Sequence, residues 1–280
     1  MIRTIGAHIM RMAFVSLCIV LSEAMQAQAQ SHVTYVTIPV SAVASARPPS
    51  EPLSGQLLIP SGNGSFPVVI VLHGCGGLAA NETIWADRLN GWGYAALILN
   101  SFAARHVPSV CAPAYQSLVT PVDRAGDVMN AAAWLRTVPP VDGNRIGVLG
   151  LSHGGSTAAA VTRADMQRAS PGLIKAAVDY YGACRDASVH GTVPLLALAG
   201  EDDTWGFPAR SCKEFGARLR PDQPFEVYTY PGVVHGFDNP RGGAFRMNEG
   251  HPIQYNPAAA EDSYVRVKTF LDRYVGHPGH

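Results

Sequence analysis

Three residues that together can activate a hydroxyl group occur in order along the second half of the chain. Ser152 lies in Gly150-Leu-Ser-His-Gly154, Asp203 ends the sequence Gly-Glu-Asp-Asp, and His235 opens the sequence His-Gly-Phe-Asp-Asn-Pro. A serine hydroxyl is a poor nucleophile at neutral pH and needs a histidine as base, whose tautomer an acidic side chain fixes. The order Ser, Asp, His therefore predicts a nucleophile, an acid and a base.

The surroundings of Ser152 strengthen this interpretation. Residues 145–151 form a short apolar stretch typical of a strand, and residues 155–161 are small and favour a helix. The Gly-x-Ser-x-Gly pattern by itself also fits an ordinary glycine-rich turn, but a strand, a sharp turn and a helix favour a nucleophile elbow. The N-terminus of that helix would direct its positive dipole end toward the hydroxyl.

The acid and the base both have alternatives nearby. Asp203 is the favoured acid because the glycine three residues earlier turns the chain back toward the site; Asp202 is the second choice and Glu201 the third. Asp179 lies inside a predicted strand, where a buried, hydrogen-bonded role is the simpler account. The other histidines in the C-terminal half are expected to be solvated: His190, His251, His277 and His280.

A tetrahedral intermediate needs two backbone N–H donors for its oxyanion. One donor is expected from His153, directly after the nucleophile. The other is expected from Cys75 in the loop His73-Gly-Cys-Gly-Gly77, which follows the first buried strand and lets the backbone approach a substrate closely. The imidazoles of His73 and His153 are then structural. Cys75 is not a rival nucleophile, because no base lies near it in the sequence.

The elements that position these residues alternate between strand and helix. Continuous apolar runs at 67–72 and 94–99 indicate strands that are buried on both faces. Helical spacing of apolar residues appears at 121–138, and Asn256 followed by Pro257 marks the start of the last helix. This alternation predicts an α/β protein with a mostly parallel sheet covered on both faces and a single domain at residues 30–280.

The first 29 residues have the features of a secretory signal peptide. Arg3 and Arg11 precede an apolar run at 12–21, and Ala-Gln-Ala at 27–29 fits a cleavage site. We therefore expect a periplasmic or secreted protein with no stable membrane anchor. The 21 basic and 21 acidic side chains balance, which argues against nucleic acid as a partner.

Export makes disulfides plausible for the four cysteines that remain after cleavage. These are Cys75, Cys111, Cys184 and Cys212. Their spacing does not match a zinc site. Three full pairings exist; Cys184 with Cys212 is the favoured bridge, and Cys111 with Cys184 is the alternative.

Taken together, the segments around Cys75, Ser152, Asp203 and His235 resemble the dienelactone hydrolase family of α/β-hydrolases, over essentially the whole mature chain. The resemblance implies an eight-stranded sheet and hydrolysis of carboxylic esters or lactones without a metal or cofactor. Members that act on dienelactone have a cysteine at the elbow and an acidic residue after the first central strand. This chain has Ser152 and His73 there, so we expect a serine esterase of the family.

The long irregular segments 102–120 and 237–255 both follow strand ends and are expected to overhang the site, where some residues should line the substrate pocket. The expected residues are Arg105, Trp205 and Phe237. Only about ten residues separate the two strands before the acid, too few for a large cap, and an open pocket favours short acyl groups.

Two other functions are compatible with the fold class. A serine peptidase of the same fold would need a further domain to select peptides, for which the chain has no room. A non-catalytic binding protein would have no need of Ser152, Asp203 and His235 together. The sequence therefore favours a hydrolase of small esters or lactones.

Overall fold

The computed structural model describes residues 32–40, 47–188 and 190–277, which form one compact unit. The predicted signal peptide lies outside the described residues. A sheet of eight strands runs through the described part. Its strands are β1 (His32–Ile38), β2 (Leu53–Ile59), β3 (Phe66–Leu72), β4 (Ala95–Asn100), β5 (Val141–Leu151), β6 (Ala176–Tyr180), β7 (Leu195–Gly200) and β8 (Phe225–Tyr230).

Six α-helices and a small hairpin complete the fold of the described residues. The helices are α1 (Ala80–Gly91), α2 (Pro121–Leu135), α3 (His153–Val161), α4 (Ala164–Ala169), α5 (Pro208–Gly216) and α6 (Pro257–Tyr274), and the hairpin strands are β9 (Arg246–Asn248) and β10 (His251–Ile253). Helices α1 and α6 pack on one face of the sheet, and α2 to α5 pack on the other. The predicted α/β architecture with helices on both faces is confirmed.

The strand order is β1-β2-β4-β3-β5-β6-β7-β8. Strands β4, β3, β5, β6, β7 and β8 are parallel, whereas β2 pairs antiparallel with both β1 and β4. From β3 the chain moves outward to β4 and then returns to the other side of β3 as β5. The order thus reverses between β3 and β5, and open α/β sheets bind their ligands at the carboxyl ends of such strands.

The central strands consist of β-branched and other apolar residues because both faces are covered. In β3 every residue from Pro67 to Leu72 is buried. The switch from β5 to α3 requires glycine: a Cβ on Gly150 would overlap the backbone of Gly154, and one on Gly154 would overlap the carbonyl of Leu72. The backbone of the turn therefore packs directly against the end of β3.

The connections differ from expectation in two places. The segment 237–255, predicted to be irregular, contains the β9–β10 hairpin, and the short helix α4 was not anticipated. Between β6 and β7 the described residues form a 3₁₀ turn at Cys184–Asp186 and contain no large cap. Within the described residues, no helix has both the length and the apolar character needed to cross a membrane.

Two disulfides link parts of the chain that are distant in sequence. Cys184 bonds to Cys212, the favoured pairing, so the alternative bridge between Cys111 and Cys184 is wrong. The second bond joins Cys75 to Cys111, the two cysteines that the favoured pairing leaves over. The first is fully buried in the core under α3 and α5, whereas the second lies at the carboxyl edge of the sheet and is partly exposed.

Candidate active site

Ser152 occupies a sharp turn between β5 and α3. Its backbone angles are φ 57° and ψ −115°, a conformation that a residue with a side chain rarely adopts. The amide of Ser152 donates to the carbonyl of Tyr180 at 2.8 Å, and its carbonyl accepts from Ser156 at 3.0 Å. These contacts hold the strained turn, which presents the hydroxyl above the sheet edge as a nucleophile elbow does.

The structure brings Ser152, His235 and Asp203 together. Nε2 of His235 lies 2.9 Å from the hydroxyl of Ser152, and Nδ1 lies 2.7 Å from Oδ2 of Asp203. An ionised carboxylate only accepts hydrogen bonds, so Nδ1 carries the proton and Nε2 is left to accept from the serine. The other oxygen of Asp203 accepts the amide of Trp205 at 2.8 Å, and Asp202, the second choice, is exposed.

The loop after β3 lies beside the elbow. A Cβ placed on Gly74 would come within 3.7 Å of both the carbonyl of Leu151 and the Cβ of Ser152. Cys75 lines the same cavities as Ser152. His153 is the first residue of α3, where an N–H has no acceptor within the helix. The two predicted oxyanion donors thus belong to segments that adjoin the nucleophile.

Two cavities meet at Ser152. One, of about 260 Å³, extends past His153 toward Gln116, Arg185 and Asp186; we call it the distal arm. The other, of about 200 Å³, extends past His235 toward Glu82 and the hairpin; we call it the histidine arm. Both are lined by a shared set of residues: Cys75, Cys111, Ser152, Tyr181 and Trp205.

Trp205 is one of the predicted lining residues that the structure places in the site. Its ring centroid lies 5.0 Å from that of His235 and 5.2 Å from that of His251, with which it is stacked. His251 also lies 3.0 Å from the hydroxyl of Thr204 through Nδ1. The expectation that His251 is merely solvated is therefore wrong, since it holds Trp205 from the β10 side.

A buried carboxylate supports the other side of the base. The ring of Tyr181 lies 4.6 Å from that of His235, and its hydroxyl donates to Asp238 at 2.7 Å. Asp238 also accepts from Trp85 at 2.6 Å and from Asn81 at 3.2 Å. Burial raises the pKa of Asp238, and these donors oppose the increase. Sequence reasoning missed this network, since Asp238 is only three residues from His235 and resembles any loop aspartate.

Arg124 on α2 connects the two segments that are predicted to provide the oxyanion donors. Its guanidinium donates to the backbone carbonyl of His73 at 2.9 Å and to Nδ1 of His153 at 2.8 Å. Complete burial lowers the pKa of Arg124 to about 9, which leaves it charged at neutral pH. Burial and then the charge of Arg124 lower the pKa of His153 to about 3 and that of His73 well below its ordinary value. Both imidazoles are therefore neutral and structural, as expected.

Glu82 holds the far end of the same loop. It caps α1, where its carboxylate accepts the amide of Ala79 at 2.7 Å. Burial is the main cause that raises the pKa of Glu82 to about 7, and backbone donors that include Gly74 oppose this increase. A carboxyl that titrates near neutrality thus lies against the loop that carries Cys75.

Two predicted lining residues lie elsewhere. Arg105 forms a two-pronged ion pair with the buried Asp127, at 2.7 and 2.9 Å, because α2 places that carboxylate under its loop. Phe237 is fully buried against Tyr180, Tyr181 and Tyr230. The expectation that Arg105 and Phe237 contact substrate is therefore wrong: one completes a salt bridge and the other fills the core.

Asp179 has the structural role expected of it. It is buried, accepts the amide of Gly182 at 2.7 Å, and has a pKa that burial raises to about 7. With Cys184 and Cys212 it forms the one group among the described residues whose ligand atoms are close enough to share a metal ion. The two sulfurs are bonded to each other, so this group is a disulfide beside a buried carboxylate.

The model of the dienelactone hydrolase family matches residues 53–275. The chain belongs to the dienelactone hydrolase family. A probable 2-oxo-3-(5-oxofuran-2-ylidene)propanoate lactonase from Bradyrhizobium sp. is 26% identical over 226 residues, which cover 74% of this chain and 84% of the relative. Membership places this chain among enzymes that hydrolyse esters and lactones.

Solved structures support the fold assignment. A dienelactone hydrolase from Anabaena variabilis ATCC 29413 superposes with a TM-score of 0.62 at 18% identity, over 88% of this chain and 99% of its own. A dienelactone hydrolase-like promiscuous phosphotriesterase from metagenomic libraries superposes with a TM-score of 0.67 at 19% identity, over 88% and 99%. At these identities the likeness extends to the fold alone.

Proposed function

We propose that this enzyme is a serine hydrolase that cleaves small carboxylic esters or lactones through an acyl-enzyme intermediate. The observation that carries the proposal is the continuous chain of contacts from Asp203 through His235 to Ser152, with separations of 2.7 and 2.9 Å. Such a chain lets a histidine remove the serine proton as attack occurs. The strained backbone of Ser152 keeps the hydroxyl exposed to both arms.

In the acylation step the Ser152 oxygen attacks the carbonyl carbon while its proton passes to Nε2 of His235. Asp203, buried and held by the Trp205 amide, stabilises the imidazolium that forms and keeps the ring in one orientation. His235 then gives the proton to the departing alkoxide oxygen. Water, activated by the same histidine, releases the acid and regenerates the serine.

The negative charge on the carbonyl oxygen is stabilised by the amides of Cys75 and His153. The glycine-rich loop and the helix N-terminus provide the donors before substrate arrives, so little reorganisation accompanies the reaction. The positive charge of Arg124, one hydrogen bond away from each segment, favours the oxyanion further. No metal or cofactor is required by this scheme.

The two arms bind different parts of the substrate. Because Nε2 of His235 must reach the leaving oxygen, the alcohol part occupies the histidine arm, which His235 lines. The acyl chain then extends into the distal arm, away from the base and past His153. A lactone, whose acyl and alcohol parts are joined, spans the junction at Ser152. The lactonase name of the Bradyrhizobium relative supports including lactones.

A fluorophosphonate probe tests the proposal. Wild type is expected to be labelled on Ser152 and to hydrolyse p-nitrophenyl acetate, and Ser152→Ala is expected to do neither while retaining the wild-type circular dichroism spectrum. A folded wild type that the probe does not label would contradict the serine mechanism. Labelling of Ser152 without turnover of any ester or lactone would favour a serine peptidase of the same fold instead.

The arms limit acyl length, and this gives a second test. We expect kcat/KM to be higher for p-nitrophenyl acetate and butyrate than for long-chain esters, because the distal arm holds only about 260 Å³. Higher kcat/KM on the long-chain esters would contradict this part of the proposal.

We further propose that the enzyme acts outside the cytoplasm. Two disulfides, one of them partly exposed, are typical of proteins from oxidising compartments. The N-terminal sequence supports the same location. Fractionation of the source cells, with mass spectrometry of the mature N-terminus, tests this; a cytoplasmic protein that keeps residues 1–29 would contradict it.

A further inference from the structure

The loop that carries the first oxyanion donor has few means of holding its own shape. Between Gly74 and Gly77, Cys75 is the one residue with a side chain. Glycine leaves the backbone free to adopt many conformations and offers no side chain to anchor. An amide that stabilises an oxyanion must nevertheless be fixed before the charge develops. The side chain of Cys75 is thus the available anchor for this stretch.

That side chain is bonded to Cys111 in the segment between β4 and α2. Two hydrogen bonds accompany the bond: the amide of Val110 donates to the carbonyl of Cys75 at 2.8 Å, and the hydroxyl of Ser109 donates to the same oxygen at 3.3 Å. The Ser109 hydroxyl in turn accepts the amide of Cys111 at 3.2 Å. The peptide plane on the C-terminal side of Cys75 and its side chain are therefore both fixed from one segment.

The segment that provides Cys111 is itself anchored. Val110 packs with Phe102 and Val119 in a small buried apolar cluster separate from the two main cores. The carboxamide oxygen of Asn100 accepts the amides of Phe102 and Ala103, each at 3.1 Å, where the segment leaves β4. Because this segment is held by its own buried contacts, its disulfide can keep Cys75 in a fixed position.

We propose that Cys111 is a positioning residue for catalysis: through its disulfide and the adjacent Val110 amide it holds the amide of Cys75 in the oxyanion hole. This inference rests on the proposed serine mechanism. The other disulfide is a matched control, because Cys184–Cys212 closes a similar length of chain, 28 residues against 36, yet lies fully buried in the main core.

The test compares Cys75→Ser/Cys111→Ser with Cys184→Ser/Cys212→Ser, each studied below its own unfolding temperature. For the first pair we expect kcat to fall about 10- to 100-fold with KM changed less than about threefold, since a full donor loss costs about 10²- to 10³-fold. Affinity for an alkyl boronic acid, which forms a tetrahedral adduct on Ser152, should fall in parallel. The core pair should keep wild-type kcat and boronic acid affinity at lowered thermal stability.

A folded Cys75→Ser/Cys111→Ser variant whose kcat and boronic acid affinity lie within about twofold of wild type would overturn the inference. So would a core pair with the same loss of kcat. Wild-type turnover and fluorophosphonate labelling are measured first; if both are absent, the proposed function fails, and that result is distinct from an active wild type with unaffected variants.

A second measurement uses wild type and covers the case in which the paired variant does not fold. Dithiothreitol under native conditions should reduce the partly exposed Cys75–Cys111 bond before the buried one, which alkylation and peptide mass mapping would follow. We expect kcat to fall with the fraction of that bond reduced, at constant KM, and to return on reoxidation. Unchanged kcat with the bond fully reduced would overturn the inference.

Discussion

In the proposed mechanism, the acid–base half of the site depends on side chains that touch one another, whereas the oxyanion half depends on backbone amides that other residues hold. In the first half, Ser152, His235 and Asp203 form two direct contacts. In the second, the loop 73–77 and His153 are held by Cys111, Arg124 and Glu82, none of which forms part of the reacting set. The residue types in the sequence are enough to suggest the chemistry of the first half. The supports of the second half can be recognised only from the three-dimensional structure.

This difference determines how each half should fail. A triad member removed from the acid–base half takes its function with it, because no neighbouring side chain can replace the nucleophile, the base or the carboxylate that orients the base. When a residue that supports the oxyanion half is replaced, the backbone amides are still present as donors, but their positions shift. We therefore expect large losses in kcat when a triad residue is replaced and smaller, graded losses when a residue that supports the oxyanion segments is replaced.

The largest expected effect is on the acid–base half. Asp203→Asn should lower kcat about 10⁴-fold, because asparagine does not stabilise the imidazolium and favours the wrong tautomer of His235. Asp202→Asn, at the exposed neighbouring position, should retain wild-type kcat. Steady-state kinetics of both variants decide the matter. Equal losses in the two variants would mean that the acid has been assigned to the wrong residue.

A pH-dependent effect on stability is expected from the oxyanion half. Burial raises the pKa of Glu82 from 4.5 to about 7, so the folded protein keeps this proton to higher pH than the unfolded chain does. This difference in pKa adds on the order of 3 kcal/mol to the free energy of unfolding. The contribution is fully present below about pH 4.5 and is lost as the pH rises through about 7. Glu82→Gln does not titrate and lacks this loss.

Urea unfolding at about pH 4.5, 6 and 8 measures this effect. The free energy of unfolding of Glu82→Gln should improve relative to wild type as the pH rises. The exposed Glu214 provides the control, since Glu214→Gln should run parallel to wild type. A constant difference between Glu82→Gln and wild type across this range would show that the Glu82 carboxyl does not couple folding to protonation.

A smaller loss of kcat is expected when Arg124 is replaced by methionine. The substitution removes the donors to the His73 carbonyl and to His153, so the two oxyanion segments lose their link, and we expect kcat to fall about tenfold. The pKa of His153 should rise, because the positive charge of Arg124 helps to lower it. Kinetics and an NMR titration of the His153 ring give the two readouts.

Arg105→Met is the control for that variant. Arg105 also carries a largely buried guanidinium, but it pairs with the buried Asp127, and its hydrogen bonds go to neither oxyanion segment. The Arg105→Met variant should lose about 3–5 kcal/mol of its free energy of unfolding, because the ion pair with the buried Asp127 is broken. It should keep the wild-type kcat and the low pKa of His153. A loss of kcat in Arg105→Met equal to that in Arg124→Met would mean that α2 acts through stability alone.

The two halves also differ in what the sequence predicts. Ser152, Asp203 and His235 were predicted as a set because each follows a strand end and has a side chain whose chemistry requires the others, and the structure brings them within hydrogen-bond distance. The loop 73–77 was found by its glycines, but its support from Cys111 depends on how a 36-residue connection folds back, which local patterns do not encode. The mostly parallel sheet and its two helix layers followed from alternating apolar segments, which burial enforces, whereas the strand order became visible only in the structure.

The errors have a common physical origin. Arg105 and Phe237 lie in loops at the correct edge of the sheet, yet the direction of each side chain is set by tertiary partners: the Asp127 carboxylate for one and a cluster of tyrosines for the other. The hairpin was missed because strands of three residues are too short to display alternation. His251 was therefore assigned to solvent when it lies against Trp205.

The smallest expected effect tests whether that hairpin belongs to the acid–base half. Trp205 lies between His235 and His251, and aromatic pairs of this kind contribute about 0.5–1.5 kcal/mol. His251→Ala should raise KM about fivefold as the indole loosens at the junction of the arms, and His190→Ala, at an exposed position, should not. Because the Trp205 amide still binds Asp203, kcat should stay within twofold of wild type. A fall in kcat at constant KM would instead show that the hairpin orients His235 itself, and would extend the acid–base half to β10.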